Sequence, residues 1–264
     1  MRNVIQYFDL IAKTWAYAEN LLPGWNDFYY GDLQRRLSAA RQQEVIGDVL
    51  ILLQHPHTYT LGRRATADHI LWDERELAQR GVSHYWVDRG GDITYHGPGQ
   101  IVGYPILNIR QRGLDVHQYL RSIEAALIRA LARFGVEAGR DPAYTGVWVG
   151  GRKIAAIGGK VSRGVTCHGF ALNVNTDLSY FDGIVPCGIT DRSVTSLTEL
   201  LGTPQRLESV LPVVVEAFAE VFDGAWTPIA LEALTAVAPP VPPAVEEPRP
   251  ISPKPALRSY TIQV

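Results

Sequence analysis

Segments of strand alternation interleaved with segments of helical periodicity predict an α/β or α+β domain built on a mixed β-sheet flanked by helices. The stretch 116–134 places Val116, Tyr119, Leu120, Ile123, Leu127, Ala130, Leu131 and Phe134 at helical spacing. Segments 49–53, 100–107, 146–149, 152–157 and 168–174 are β-branched or alternating and are bounded by turn residues. Gly150-Gly151, between two of them, is a tight hairpin signal. Hairpins mixed with long helices fit a mixed sheet better than a doubly wound parallel one.

Each element has local support. Asp115 can cap the start of the long helix and Gly135 its end. A second helix is expected over 210–222, with Pro212 tolerable only in its first turn. The stretch from Trp15 to Tyr30 carries no clear pattern. Of the 17 prolines, 8 fall in the PPVPPAVEEPRPISPKP stretch that begins at Pro239, which reads as an extended, poorly packed tail. The expected division is a catalytic domain over 1–223 and a flexible proline-rich tail over 224–264. No repeat of solenoid or propeller length is visible.

Composition narrows the function. At 46% hydrophobic and 20% charged, the 264 residues can bury a sizeable core. A formal charge of -2 with no run of like charges argues against nucleic acid as the main partner. Two cysteines, Cys167 and Cys187, cannot build a disulfide framework, and without a CxxC pair no structural zinc site is expected. The apolar stretch behind Met1 and Arg2 is broken by Gln6 and Asp9, and no run of about 18 apolar residues occurs, so neither signal peptide nor membrane span is expected. A reduced, cytoplasmic setting follows.

Three segments stand out chemically. Arg89-Gly90-Gly91-Asp92-Ile93-Thr94-Tyr95-His96-Gly97-Pro98-Gly99-Gln100 packs four glycines and a proline among polar side chains and then enters a strand, which lets backbone approach a ligand closely. It is neither a Walker A loop nor a dinucleotide fingerprint; composition alone fits a turn-rich hairpin equally well. Val185-Pro186-Cys187-Gly188 sets a thiol in a loop before a helix start, where unpaired N–H groups and a cation would favour thiolate. Read alone, it fits a small buried residue too. Gly151-Arg152-Lys153-Ile154 puts one lysine at the head of an apolar strand, where desolvation would bring its amine toward proton transfer, or where it is a solvated hairpin end. Cys167 and His168 are strand neighbours and should point to opposite faces, which argues against a dyad and makes Cys167 structural. His55 and His57 could share a face, but no third metal ligand stands near, and no metal is expected.

Taken together, these segments resemble the lipoyl(octanoyl) transferases, octanoyl-[acyl carrier protein]:protein N-octanoyltransferases. The resemblance covers roughly 50–202. It is carried in chain order by His55-Pro56 with Tyr59-Thr60-Leu61-Gly62-Arg63, then RGGDITYHGPGQIVGYP from Arg89, GRKIAAIG from Gly151, HGFALNVN from His168 and VPCGI from Val185. It implies the fold of biotin and lipoate protein ligases. It also implies transfer of an octanoyl group from octanoyl-acyl carrier protein to a lysine of lipoyl domains, those of 2-oxo acid dehydrogenase complexes and of the glycine cleavage H protein. By the same resemblance Cys187 carries the acyl thioester and Lys153 is its acid/base partner. Acyl-substrate contacts carry over to Arg89, Gly90, Gly91, Asp92, Ile93, Thr94, Tyr95 and His96, then Ala156, Ile157 and Gly158, then Gly169, Phe170 and Ala171. No cofactor is expected, and backbone N–H groups of the glycine-rich run are candidate oxyanion donors.

Overall fold

A computed structural model describes residues 3–9, 27–185 and 193–229 of the chain, with side chains from residue 31 onward. In chain order the elements are β1 (Asn3–Asp9), α1 (Asp27–Gln42), β2 (Val49–Leu53), β3 (Thr58–Leu61), α2 (Glu74–Gln79), β4 (Ser83–Trp86), β5 (Ile93–His96) and β6 (Gln100–Ile106). They continue with α3 (Val116–Ala132), β7 (Val147–Val149), β8 (Arg152–Ser162), β9 (Val165–Asn173), α4 (Leu197–Leu201), α5 (Leu207–Val221) and β10 (Gly224–Pro228). Among the described residues the strands form a seven-stranded sheet, β10-β1-β2-β6-β9-β8-β7, and a three-stranded sheet, β4-β3-β5. Parallel and antiparallel pairs occur in both. The mixed sheet flanked by helices is thus the architecture present.

The centre of the large sheet is buried on both faces, and β2 shows how. Its side chains alternate with period two. Leu50 and Leu52 enter a core shared with Tyr119, Ile123 and Leu127 of α3 and Phe218 of α5. Val49, Ile51 and Leu53 enter a second core with Leu33 and Leu37 of α1. Phe170 on β9 stacks on Phe218 with ring centroids 5.1 Å apart. The helix α3 starts in a capping box: Asp115 accepts from Gln118 N, and the Gln118 side chain accepts from Asp115 N. Gly150 and Gly151, at φ 55° and 79°, turn β7 into β8 in the left-handed region that a tight hairpin requires.

Two expected boundaries move. The helix α5 begins at Leu207, so Pro212 sits in its second turn, beyond the free N–H groups of a helix start; the ladder there lacks one donor. The sheet also runs past 223. β10 pairs in parallel with β1, and Trp226 lies edge-on to Phe218 at 6.3 Å. Residues 230–264 lie outside the described residues.

The small sheet has its own core, where Tyr59 and Tyr95 are fully buried with Ile70, Leu77 and Ile184. The Tyr59 hydroxyl donates to the Tyr180 carbonyl at 2.6 Å. Between the two sheets runs the glycine-rich segment before β5. Gly90 N donates to Gly159 O on β8 at 3.0 Å, and Gly62 N donates to Asp92 O at 3.2 Å.

Candidate active site

A cavity of about 520 Å³ opens where the glycine-rich run crosses β8 and β9. That size falls within the range of small-ligand sites. Lys153 lines it, as do Ala156, Ile157 and Gly158 of β8, then Gly169, Phe170 and Ala171 of β9. From the run, Arg89, Gly90, Gly91, Asp92, Ile93, Thr94 and His96 line it as well. Tyr95 does not: its ring stacks on Tyr180 at 5.1 Å in the small-sheet core, and its hydroxyl pairs with His57 Nδ1 at 2.8 Å. Alternation along β5 places Thr94 and His96 on one face and Tyr95 on the other. Burial raises the Tyr95 phenol well above the usual tyrosine range.

The glycines are dictated by close approach. A Cβ on Gly158 would stand 2.8 Å from Gly90 O, and one on Gly169 would stand 2.2 Å from Gly103 O. The run can therefore lie on β8, and β9 on β6, only if these positions carry no side chain. Gly91 additionally holds φ 93°.

Arg89 anchors the run from below. Its Nη2 donates to the Thr60 carbonyl at 2.6 Å and its Nη1 to Gly90 O at 3.1 Å, and the side chain is buried. His96 pairs with Gln100 Oε1 through Nδ1 at 2.9 Å, and Gln100 Nε2 donates to Asn173 Oδ1 at 2.9 Å. Asp92 Oδ1 accepts from Ile93 N and from His69 Nδ1, each at 2.7 Å. Amides of the run that are already committed, those of Gly90, Ile93, Gly99 and Gln100 among them, are not free oxyanion donors.

Lys153 sits at the head of β8 with Nζ 4.8 Å from the centre of the Trp148 ring, a face that attracts an ammonium. Its backbone pairs with the segment after 192: Lys153 N donates to Ser193 O at 2.9 Å, and Thr195 N donates to Lys153 O at 3.0 Å. Cys187 lies outside the described residues. The chain on its N-terminal side is fastened too, Val185 N donating to His69 O at 2.9 Å.

Cys167 has the character of an inert thiol. Burial pushes it up to about 11, and its Sγ donates to Gln34 Oε1 at 3.4 Å. Its neighbour His168 holds φ 59° and turns to the cavity, with Nε2 2.7 Å from Asp88 Oδ1. Asp88 also accepts from Lys160, and these hydrogen bonds, that from His168 foremost, hold its carboxyl below the usual carboxylate range. The histidines of His55-Pro56-His57 go separate ways. His55 lines the cavity and pairs with Tyr104 at 2.6 Å, whereas His57 stacks on Tyr180 in the small-sheet core, where burial lowers its pKa. Among the described residues no cluster of three His, Cys, Asp or Glu could hold a metal ion, and no helix is long and apolar enough to cross a membrane.

Sequence reasoning missed Gln34, His69, Tyr104 and Val194. Gln34 and Tyr104 reach the cavity from α1 and β6, and Val194 from the segment bridged to Lys153. Tyr104 belongs to the motif string that begins at Arg89, which gives it no role, whereas no local pattern marks Gln34, His69 or Val194, which only pairing of distant segments reveals.

Glycines and apolar side chains thus wall a cavity between a run laid over β8 and a lysine at the strand head, with Arg89, Asp92 and His96 in its polar lining. The pattern of the lipoyl protein ligase A/B catalytic domain matches residues 28–219. An octanoyltransferase of Solibacter usitatus is 51% identical over 192 residues, covering 73% of this chain and 86% of the relative. One from Chloroflexus aurantiacus is 53% identical over 194 residues, covering 72% and 87%. One from Gloeobacter violaceus is 53% identical over 207 residues, covering 78% and 90%. The chain belongs to the octanoyltransferases of the lipoyl protein ligase A/B catalytic-domain family, and it is an acyltransferase. Its fold matches a lipoate protein ligase from T. acidophilum with bound lipoic acid, at TM-score 0.68 and 15% identity, over 90% of this chain and 93% of that one. It also matches a lipoate-protein ligase A bound with ATP, at TM-score 0.65 and 16% identity, over 90% and 93%.

Proposed function

We propose that this octanoyltransferase takes its acyl group from octanoyl-acyl carrier protein, holds it as a thioester on Cys187, and delivers it to a lysine of lipoyl domains. The acceptors are those of 2-oxo acid dehydrogenase complexes and the glycine cleavage H protein. The observation that carries this reading is the position of Lys153. It lines the acyl-sized cavity, and its own backbone is paired with Ser193 and Thr195, six and eight residues after Cys187 in the chain.

In the first half-reaction Lys153 takes the Cys187 proton, and the thiolate attacks the thioester carbonyl of the donor. The bond from carbonyl carbon to carrier sulfur breaks, and Lys153 returns the proton to that sulfur. One thioester replaces another, so the step is nearly isoenergetic and needs no ATP. In the second half, the acceptor amine attacks the acyl-Cys187 carbonyl and Lys153 receives its proton. An amide forms and the Cys187 sulfur leaves, a downhill exchange. Ala156, Ile157, Phe170 and Ala171 supply apolar walls for the eight-carbon chain, each buried CH2 contributing about 0.8 kcal/mol. Arg89 through His96, Gly158 and Gly169 shape the rest of that pocket; Tyr95 serves it from behind, as packing. We assign the reaction to the cytoplasm, where Cys187 stays reduced.

The test is intact-mass measurement after incubation with octanoyl-carrier and no ATP. One octanoyl group should appear on the wild-type chain and none on Cys187→Ala, and adding an apo-lipoyl domain should move the group to it. Acylation that demands ATP would convert the reading to that of a ligase.

A further inference from the structure

We infer that His69, which no reading of the sequence singled out, is a positioning residue that ties the glycine-rich run to the chain leading into the cysteine-bearing segment; the inference rests on the octanoyl-transfer reading above. His69 makes two bonds in opposite directions. Its ring Nδ1 donates to Asp92 Oδ1 at 2.7 Å, and its carbonyl accepts from Val185 N at 2.9 Å. Asp92 is buried, and the same Oδ1 takes Ile93 N at 2.7 Å, which fixes the carboxylate relative to β5. The neighbouring residues extend the attachment: Ile70 bridges Ile184 antiparallel, and Leu71 N donates to Gly183 O at 2.8 Å.

The segment 69–71 therefore forms a short ladder with 183–185, and the His69 ring joins that ladder to the cavity wall. A carboxylate that receives a charge-assisted bond is held more firmly than a neutral acceptor. Without the ring the ladder keeps its backbone bonds but loses its register to Asp92. His69 touches none of the reacting atoms. Its effect is on where the chain that enters 186–192 sits relative to Asp92 and Gly91, and a displacement of about 1 Å can cost about 100-fold in rate.

The experiment compares His69→Ala with His69→Asn, whose side-chain Nδ2 stands where the histidine Nδ1 stands and donates the same bond. Single-turnover acylation by octanoyl-carrier should slow about 10- to 100-fold in His69→Ala, with the half-saturating donor concentration unchanged within about threefold. Amide exchange over 183–185 should quicken in His69→Ala while exchange over α3 stays as in wild type. His69→Asn should restore both to within about threefold. Wild-type rate and exchange in His69→Ala would overturn the inference, and so would His69→Asn being as impaired as His69→Ala. The exchange measurement uses no substrate, so a wild-type chain that took up no octanoyl group would sink the functional reading while leaving the clamp to be decided on exchange.

Discussion

Lys153 N donates to the carbonyl of Ser193 at 2.9 Å, so the strand bearing the candidate base is joined, at that very residue, to the chain returning from 186–192. The backbone of Lys153 is thereby held whatever its side chain becomes. This makes side-chain substitution a clean probe of its chemistry.

Lys153→Ala should slow acyl-enzyme formation by roughly 10²- to 10⁴-fold, the usual effect of losing a general acid/base. Raising pH toward the ordinary thiol value of about 8.5 should recover part of it, because Cys187 then ionises unaided. Lys153→Arg should not rescue, since guanidinium cannot accept a proton. Cys167→Ala should leave adduct and turnover nearly intact, its thiol being held neutral by burial. Rapid-quench mass spectrometry across pH reads all of these; loss of the adduct in Cys167→Ala would transfer the nucleophile to the wrong cysteine.

Arg63 and Arg64 are exposed at the end of β3, with Arg64 on the cavity rim, and neither has an ion-pair partner among the described residues. Arg152, a third candidate for contact with an acidic carrier, is instead paired with Glu199. Changing Arg63 and Arg64 together to Glu should therefore raise KM for the carrier, and Arg152→Glu should do so less. The effect should fade with salt as the Debye length falls from about 10 Å at 0.1 M to about 3 Å at 1 M. A wild-type KM that is flat from low to high salt would refute carrier steering at this rim.

Asp88 has a folded pKa depressed below its ordinary 3.8, chiefly by the bond from His168. A depressed carboxyl contributes stability that is present above its unfolded value and is lost as pH falls through the folded one. Wild-type stability should thus fall more steeply below about pH 4 than that of Asp88→Asn, which keeps an acceptor but cannot titrate. Urea unfolding of both at pH 7 and through the acid range checks this; parallel curves would count against it.

Cutting the chain after Ile229 should leave activity and melting temperature close to those of the full chain, whereas cutting after Asp223 should lower the melting temperature by about 5 °C or more. The second cut removes β10, the Trp226 packing on Phe218, and Ile229, which packs beside Leu33 and Leu37. Thermal unfolding of the two truncations decides the boundary.

Legibility in the sequence followed how local each cause is. β2, α3 with its Asp115 cap, and the Gly150-Gly151 hairpin were readable because their determinants sit within a few residues of one another. β8 was read as ending at Ile157 but runs to Ser162. Gly158 and Gly159 look like strand breakers until Gly90 is seen lying on them. α1 escaped because its sequence, DFYYGDLQRRLSAARQ, mixes polar and apolar residues without a clear apolar stripe; from residue 31 onward Leu33 and Leu37 are its contribution to the apolar core. Tyr95 carried a motif's reputation into the wrong compartment, since a motif string does not say which face each residue takes. His69 was invisible for the converse reason: both its partners lie far along the chain, and neither alters the local pattern.

The parallel pairing of β1 with β10 sets Asn3 beside Gly224 and Tyr7 beside Pro228. During synthesis β1 precedes every other described strand, yet it cannot meet β10, its outer neighbour, until all of those strands have been made. Such pairing at the greatest sequence separation is entropically the slowest to form. Among the described strands of the large sheet β10 is therefore the last to emerge, and until it does β1 lacks its outer neighbour and presents an open edge to other chains.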